Sequence, residues 1–355
     1  MAEERLSRWE QLHSARGAQE ERGAELVLEG ADLTAHRRLR DVEALRRAAY
    51  VALFGNGDEV TDLSEAHALS VPRRSSGGKR PERRPSDCEI ESVLDTRTAP
   101  LHPCGMAIEI LSAAEIDRMR RAGRAAAETL AFIGSKLRPG MTTAEIDRLV
   151  REDTAKRGGR PSQLGYQGFP AAVCTSKNDV VCHGIPSERV VLEPGDIVNV
   201  DVTTNLDGYH GDTSATFIIG EASPDAKRLV DIARRCRDAG IAVIREGARL
   251  GDIGAAIEEL ARKEGVSVVT DFGGHGIGRR MHADPHVSHT GKRGAGPRLK
   301  AGMGLTVEPM VNLGRPEIRF LDDGWTVVTA DGSLSAQWEH TVIVTRDGHE
   351  IMTLL

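Results

Sequence analysis

Apolar residues recur at helical spacing in several blocks of the chain and run together or alternate at strand length between them. Val42, Leu45, Ala49 and Leu53 predict one helix within residues 41–55. From Ser112 to Leu137, "SAAEIDRMRRAGRAAAETLAFIGSKL", the pattern is a longer amphipathic helix, with Ser112 as N-cap and Glu115 completing a capping box. "TTAEIDRLVREDTAKRGG" predicts a second, capped by Thr142 or Thr143 and stopped at Gly158 and Gly159. Two more follow in "PDAKRLVDIARRCRDAGIAVI" and "LGDIGAAIEELARKEG". Strands are expected at "AAVCTS", "DIVNVDVTT", "TSATFIIG", "GLTVEPMVNLG", "GWTVVTA" and "SAQWEHTVIVT". Helices in blocks beside mostly hairpin-linked strands indicate an α+β fold rather than a doubly wound sheet. No short repeat is present.

Residues 70–87, "SVPRRSSGGKRPERRPSD", break this texture. Such a segment buries too little surface to offset the entropy of ordering, so it reads as a flexible linker. The expected organisation is an N-terminal extension over 1–105, partly helical and then Arg/Pro/Gly/Ser-rich, followed by a catalytic domain over 106–355. The linker's arginines could touch ribosomal RNA, although a solvated tether accounts for them more simply.

A net charge of −6 with 28% charged residues argues against nucleic-acid binding across the whole surface, and 3% aromatics against base-stacking platforms. Five cysteines (Cys88, Cys104, Cys174, Cys182 and Cys236) are irregularly spaced, which suits reduced thiols in a cytoplasmic protein. The N-terminal residues are charged from the third onward and no apolar run approaches membrane-spanning length. Neither a secretory signal nor a membrane partner is expected.

The candidate chemistry lies in carboxylates placed where apolar residues would serve a core better. "NVDVTTNLDGYHGDTSATF" (residues 199–217) reads as a hairpin around "NLDG", taken as a type I turn centred on Leu206 and Asp207. That centre puts Asp201 and Asp212 directly opposite each other, where two anions repel unless a cation lies between them. Glu308 stands inside the apolar run "LTVEPMV", Glu339 at the start of another in "SAQWEHTVIV", and His275 among glycines in "FGGHGIGRRMH". Lone carboxylates in apolar strands are rare unless paired or bound to metal. Four carboxylates and one imidazole form a hard, mostly oxygen donor set, suited to two divalent ions and too acidic for structural zinc. "GGHGIGRR" fails a dinucleotide fingerprint, so its glycines are expected to let backbone approach the metals and substrate. Cys182 lacks the partners of a nucleophile, and no G-x-S-x-G elbow occurs.

Residues 106–355 resemble a type I methionine aminopeptidase over essentially their whole length. The resemblance rests on "VCHGIP" (181–186), "GDIVNVDVTTNLDGYHGDTS", "GGHGIG", "TVEPM" and "DGSLSAQWEHT". The five candidate ligands are spaced by 11, 63, 33 and 31 residues, as in that family. It implies a pita-bread fold, in which a curved antiparallel sheet carries helices on its outer face and the halves are related by a pseudo-two-fold axis. It implies two divalent ions (Co, Mn, Fe or Zn), with Asp201 chelating one, Asp212 and Glu339 bridging both, and His275 and Glu308 completing the second. The implied nucleophile is a water or hydroxide between the ions, with Glu308 moving its proton. His183 would hydrogen-bond the substrate near the scissile amide, and His282 would stabilise the developing oxyanion. Tyr166, Phe169, Cys174 and Trp325 would line the methionine pocket beside His183. The implied activity is removal of N-terminal methionine from peptides and nascent polypeptides whose second residue is small, by a cytoplasmic, monomeric enzyme.

The sequence departs from the usual pattern at Gln163, where a cysteine often lies, at Phe169 for a tyrosine and at Met281 for a phenylalanine. These changes concern pocket shape rather than the reaction. His286 and His289 have zinc-like spacing with His282, but no accompanying ligand set. Two alternatives remain: a prolidase or aminopeptidase P, which usually carries a large folded N-terminal domain, and a metal-free binding paralogue, which would have lost ligands.

Overall fold

The computed structural model describes residues 108–355. The expected helix at 41–55, the linker at 70–87, Cys88 and Cys104 lie outside the described residues. Helix α1 (Ala113–Gly134) begins where the sequence places it. Glu115 reaches back to accept hydrogen bonds from the Ser112 backbone N–H at 2.8 Å and hydroxyl at 2.7 Å. Its buried stripe is Met119, Ala122, Ala126, Leu130 and Ile133. Helix α2 (Thr143–Lys156) has the same box, from Thr142 and Glu145, and ends before Gly158 at φ 79°.

These helices cover a sheet of β1 (Arg160–Pro161), β2 (Cys174–Lys177), β4 (Ile197–Leu206) and β5 (Tyr209–Ile218), with β3 (Val180–Cys182) between β2 and β4 in the chain. The small side chains of α1 admit the hairpin closely: a Cβ on Gly211 of β5 would collide with the backbone of Gly123. The order then repeats. Helices α3 (Pro224–Ala242) and α4 (Leu250–Glu264) precede β6 (Ser267–Val268), β7 (Gly273–Gly276), β8 (Ala283–Ser288), β9 (Gly304–Val307) and β10 (Met310–Asn312). Ile232, Ile253 and Ile257 on these helices pack with Leu305, Val307 and Val342 in one core. Each such side chain contributes about 1.5–3 kcal/mol on burial. β11 (Ile318–Phe320), β12 (Val327–Thr329), β13 (Ser335–Gln337), β14 (His340–Val344) and β15 (His349–Ile351) complete the chain, and every ladder among the named strands is antiparallel.

Two strand expectations need correction. The β4–β5 turn is not type I about Leu206 and Asp207. Leu206 pairs with Tyr209, and the two loop residues, Asp207 (φ 53°) and Gly208 (φ 80°), both have positive φ. This is the primed turn that Asp-Gly favours, because its twist matches that of the strands. The register moves accordingly: Asp201 faces Ser214 and Asp212 faces Thr203. The aspartates are therefore diagonal neighbours on one face of the hairpin.

Nor are "GLTVEPMVNLG" and "SAQWEHTVIVT" single strands. Each is broken at its carboxylate. β9 pairs with β14 in one sheet and β10 with β13 in another, and the breaks at Glu308–Pro309 and Trp338–Glu339 fall opposite each other. Pro309 has no N–H for a ladder. The freed backbone donors find other acceptors: Glu308 N–H donates to His289 Nε2 at 3.2 Å, and Glu339 N–H to the Ser214 carbonyl at 3.0 Å.

Candidate metal centre

The hairpin β4–β5 and the paired breaks converge. One ligand atom each from Asp212, His275 and Glu339 lies within 4.8 Å of the others. His275 Nε2 is 3.8 Å from Asp212 Oδ2 and 3.5 Å from Glu308 Oε1. Asp201 is the diagonal neighbour of Asp212 across the hairpin, near enough for the charge on Asp212 to raise it. Three of the five expected ligands thus form one group, with Asp201 and Glu308 beside it; the aspartates are offered by a continuous ladder and the glutamates by interrupted ones.

The glycines around His275 also have a packing role. A Cβ on Gly274 would strike the Thr306 carbonyl of β9, and one on Gly276 the Asp284 carbonyl of β8. They allow the strands to close up behind His275.

The electrostatics describe a cluster of crowded acids. Asp212 and Glu339 are 5% and 2% exposed. Burial, and then the neighbouring carboxylates, push Asp201 and Glu339 well above the ordinary range. Burial lifts Asp212 to about 7 against opposing hydrogen bonds from Thr203 and Thr213, and burial with the charge on Asp212 lifts Glu308 to about 8. His275 lies against two of them, Asp212 and Glu308.

His275 supplies no positive charge, since burial lowers it to about 4. Its Nδ1 lies 3.0 Å from the Gly276 carbonyl, which can only accept, so Nδ1 holds the proton. The Nε2 lone pair is left pointing at two carboxylates. Glu339 Oε1 is buried with no hydrogen-bond partner among the described residues. Acceptors turned on one another in a dry site fit divalent cations, which would replace protons on the carboxylates and use both orphaned lone pairs.

The substrate-side residues gather at one edge of this cluster. Phe169 and Cys174 share a small apolar core with Ile185 and Trp325. Cys174 is the cross-strand partner of Asp201, so the expected pocket wall and the expected ligand are neighbours. Burial drives the thiols of Cys174 and Cys182 far up, consistent with packing rather than nucleophilic roles. His183 lies edge-on to Trp325, with ring centroids 6.3 Å apart. Its φ of 55° is strained for a non-glycine residue, a cost typically retained at functional sites. His282 stands 4.2 Å from His275 and 5.0 Å from Tyr166, centroid to centroid. Although solvent reaches it at the rim, the surrounding walls and then three neighbouring imidazoles hold it below its ordinary value, hence neutral. Met281 is buried.

Several residues that orient the ligands escaped the sequence reading. Thr203 donates to Asp212 Oδ1 at 2.7 Å, Thr306 to Glu308 Oε1 at 2.7 Å and Gln337 to Glu308 Oε2 at 3.2 Å. His289, far from a zinc ligand, receives the Glu308 N–H. Gln163 bears on more than pocket shape: its amide N donates to the Asp201 carbonyl at 2.9 Å and to Oδ1 at 3.3 Å, while its carbonyl accepts from Thr203 N–H at 3.3 Å. For Thr203, Thr306 and Gln337 the available signal was a polar residue two positions from a carboxylate in an apolar strand, as such partners fix ligand orientation; Gln163 and His289 carry no local signal.

Comparisons with known proteins identify the family. The sequence model of metallopeptidase family M24 matches residues 117–346. Methionine aminopeptidase A of Synechocystis sp. is 50% identical over 250 residues, 70% of this chain and 99% of that one. Methionine aminopeptidase of Escherichia coli (strain K12) is 48% identical over 70% of this chain and 95% of its own. A crystal structure of methionine aminopeptidase from Rickettsia prowazekii superposes with a TM-score of 0.69 at 48% identity, covering 70% of this chain and all of that one. The prolidase and aminopeptidase P alternative is not favoured by these matches. The chain belongs to metallopeptidase family M24 as a methionine aminopeptidase with the pita-bread fold.

Proposed function

We propose that this chain removes the N-terminal methionine from nascent polypeptides and peptides whose second residue is small. The observation that carries the reading is the buried cluster of Asp201, Asp212, His275, Glu308 and Glu339 opening beside the apolar wall of Phe169, Cys174 and Trp325. The donor set fits divalent ions of the Mn, Fe, Co or Zn kind, two by the number of carboxylates, which Asp201, Asp212, His275, Glu308 and Glu339 would hold. When bound, such ions draw in a free α-amine, polarise a carbonyl and lower the pKa of water.

The protein's own part follows from its geometry. The apolar wall takes an unbranched thioether side chain. Glu308, held by Thr306 and Gln337, accepts a proton from the attacking water and returns it to the leaving nitrogen. His183 and His282, both held neutral, donate hydrogen bonds to the scissile amide and to its carbonyl oxygen as charge develops. The working setting in this reading is the cytoplasm, at chains leaving the ribosome, with the enzyme as a monomer.

The test is hydrolysis of Met-Ala, Met-Gly, Met-Leu and Met-Lys peptides by the metal-loaded protein. Cleavage of the first two well above the others is expected. Equal rates on Met-Ala and Met-Leu peptides would refute the reading, and cleavage before proline without methionine preference would replace it with the prolidase alternative.

A further inference from the structure

A row of rings leads out of the candidate site. Phe169 meets Trp325 edge-on at 5.1 Å, Trp325 meets His183 at 6.3 Å, His183 meets Phe272 at 5.5 Å, and Phe272 meets Phe320 at 6.1 Å. Exposure rises along it. Phe169 is 3% exposed, the middle members are half-buried, and Phe320 is 58% exposed. Among the described residues Phe320 is the one exposed Phe, Tyr or Trp.

Its position is fixed. Phe320 ends β11 and pairs with Val327 of β12, and the loop between them carries Trp325. Asp323 accepts hydrogen bonds from the N–H groups of Trp325 and Thr326 at 2.9 and 2.8 Å, and Leu321 N–H donates to the Thr326 carbonyl at 2.8 Å. One tightly bonded hairpin therefore holds both the wall of the methionine pocket and the outermost ring. An isolated exposed phenylalanine needs no explanation. One that continues a row starting at a buried pocket, on a rigid hairpin, does.

An exopeptidase substrate must run from the buried end of its site towards solvent, and the row has that direction. With the first side chain at Phe169 and Trp325 and the scissile amide at His183, the second residue passes Phe272. An extended chain advances about 3.3 Å per residue, so a large third side chain spans the remaining distance to Phe320. We propose that Phe272 and Phe320 form a shelf that receives an aromatic or large aliphatic third residue of the substrate, extending selectivity beyond the first two residues. This rests on the proposed function, which places the scissile amide at His183.

The experiment compares kcat/KM of the full-length, Mn²⁺-loaded protein on Met-Ala-Phe-Ser and Met-Ala-Ser-Ser peptides. A ring-on-ring contact at a partly exposed site corresponds to roughly a 2- to 10-fold preference for the phenylalanine peptide. That ratio should collapse towards one in Phe320→Ser and largely survive in Phe320→Tyr, which keeps the ring. A ratio near one in the unmodified protein, or one unchanged by Phe320→Ser, overturns the shelf and leaves methionine removal standing. Failure to cleave either peptide overturns the proposed function and the shelf with it.

Discussion

The aspartate hairpin and the glutamate breaks deliver the same functional group to the same cluster, but by different means. Asp201 and Asp212 sit in an unbroken ladder running from Ile197–Ile218 to Leu206–Tyr209, so strand pairing sets the course of their backbone, with Gln163 and Thr341 adding bonds to it. Glu308 and Glu339 sit where both ladders fail, and their N–H groups depend on His289 and on Ser214 of the other half. A continuous ladder makes side chains predictable in direction but confines them to one face. A break frees a carboxylate to turn inward, and makes it depend on distant partners. The site is thus a rigid half meeting a supported half, and each half should fail in its own way.

The largest effect should come from removing the residue where the halves meet. Asp212→Asn exchanges a carboxylate for one neutral carbonyl oxygen and an NH₂, which cannot be shared between two cations. Loss of at least one bound metal and of nearly all turnover is expected. The same change removes one of the crowded buried acids, so the metal-free variant should unfold at the same temperature as the parent or higher. Metal stoichiometry and activity, measured with metal-free thermal unfolding, check this. Two retained metals with near-normal turnover would mean that the hairpin does not hold a dinuclear centre.

The next effect separates the halves. His289→Leu leaves the Glu308 N–H buried without an acceptor, at about 1–3 kcal/mol, and unseats a supported ligand. Metal affinity should fall roughly 10- to 100-fold. Gln163→Leu also removes hydrogen bonds around a ligand, Asp201, but the ladder still holds that aspartate's backbone. Its loss of affinity should be the smaller, about tenfold or less. Titration with Mn²⁺ against a chelator measures both. A larger loss in Gln163→Leu would invert the comparison.

The same contrast explains what could be read from sequence. Helices announced themselves because Ser112, Thr142 and their glutamates act within one turn, and the apolar stripes of α1 and α4 need only a nearby sheet. The ligand identities were legible as charges in apolar runs. The hairpin register was missed although Asp207 and Gly208 carried the signal, because the turn was centred one residue early. The breaks were harder. Pro309 hinted at one, but nothing local to "SAQWEHTVIV" shows that Trp338–Glu339 leaves the ladder, since the cause is the facing strand. The orienting residues were opaque for the same reason: Gln163 and Asp201, or His289 and Glu308, meet only through tertiary structure.

A smaller effect follows from pH. In the metal-free protein the fold raises Asp212 to about 7 and Glu308 to about 8, chiefly by burial, and it therefore favours their protonated forms. The stability this confers is complete below the ordinary carboxylate pKa, about 4. It is lost as pH rises through 7 and 8. Between pH 5 and pH 9 the metal-free unfolding temperature should fall by at least about 4 °C. With metal bound, cations take the place of the protons and the fall should largely disappear. Calorimetry with and without a chelator reads the difference, and parallel curves would remove the carboxyl crowding from the account.

The smallest effect tests how rigid the hairpin is. Gly208 has φ 80° and open space where a Cβ would stand, so Gly208→Ala introduces backbone strain without a clash. An alanine at positive φ costs about 1–2 kcal/mol, offset in part by a less flexible unfolded chain, roughly 0.4–1 kcal/mol. A net loss near 1 kcal/mol lowers the unfolding temperature of a domain this size by about 2–4 °C. Metal affinity should not change. The pairs from Asn205–His210 to Thr203–Asp212 lie between the turn and the nearer ligand, and Thr203 and Thr341 hold Asp212 independently of the turn. Unfolding temperature and metal affinity measured on one preparation decide the matter. A fall in affinity of more than about threefold, near 0.7 kcal/mol, would show that strain at the tip reaches the aspartates, and that the hairpin half is supported from outside as much as the broken one.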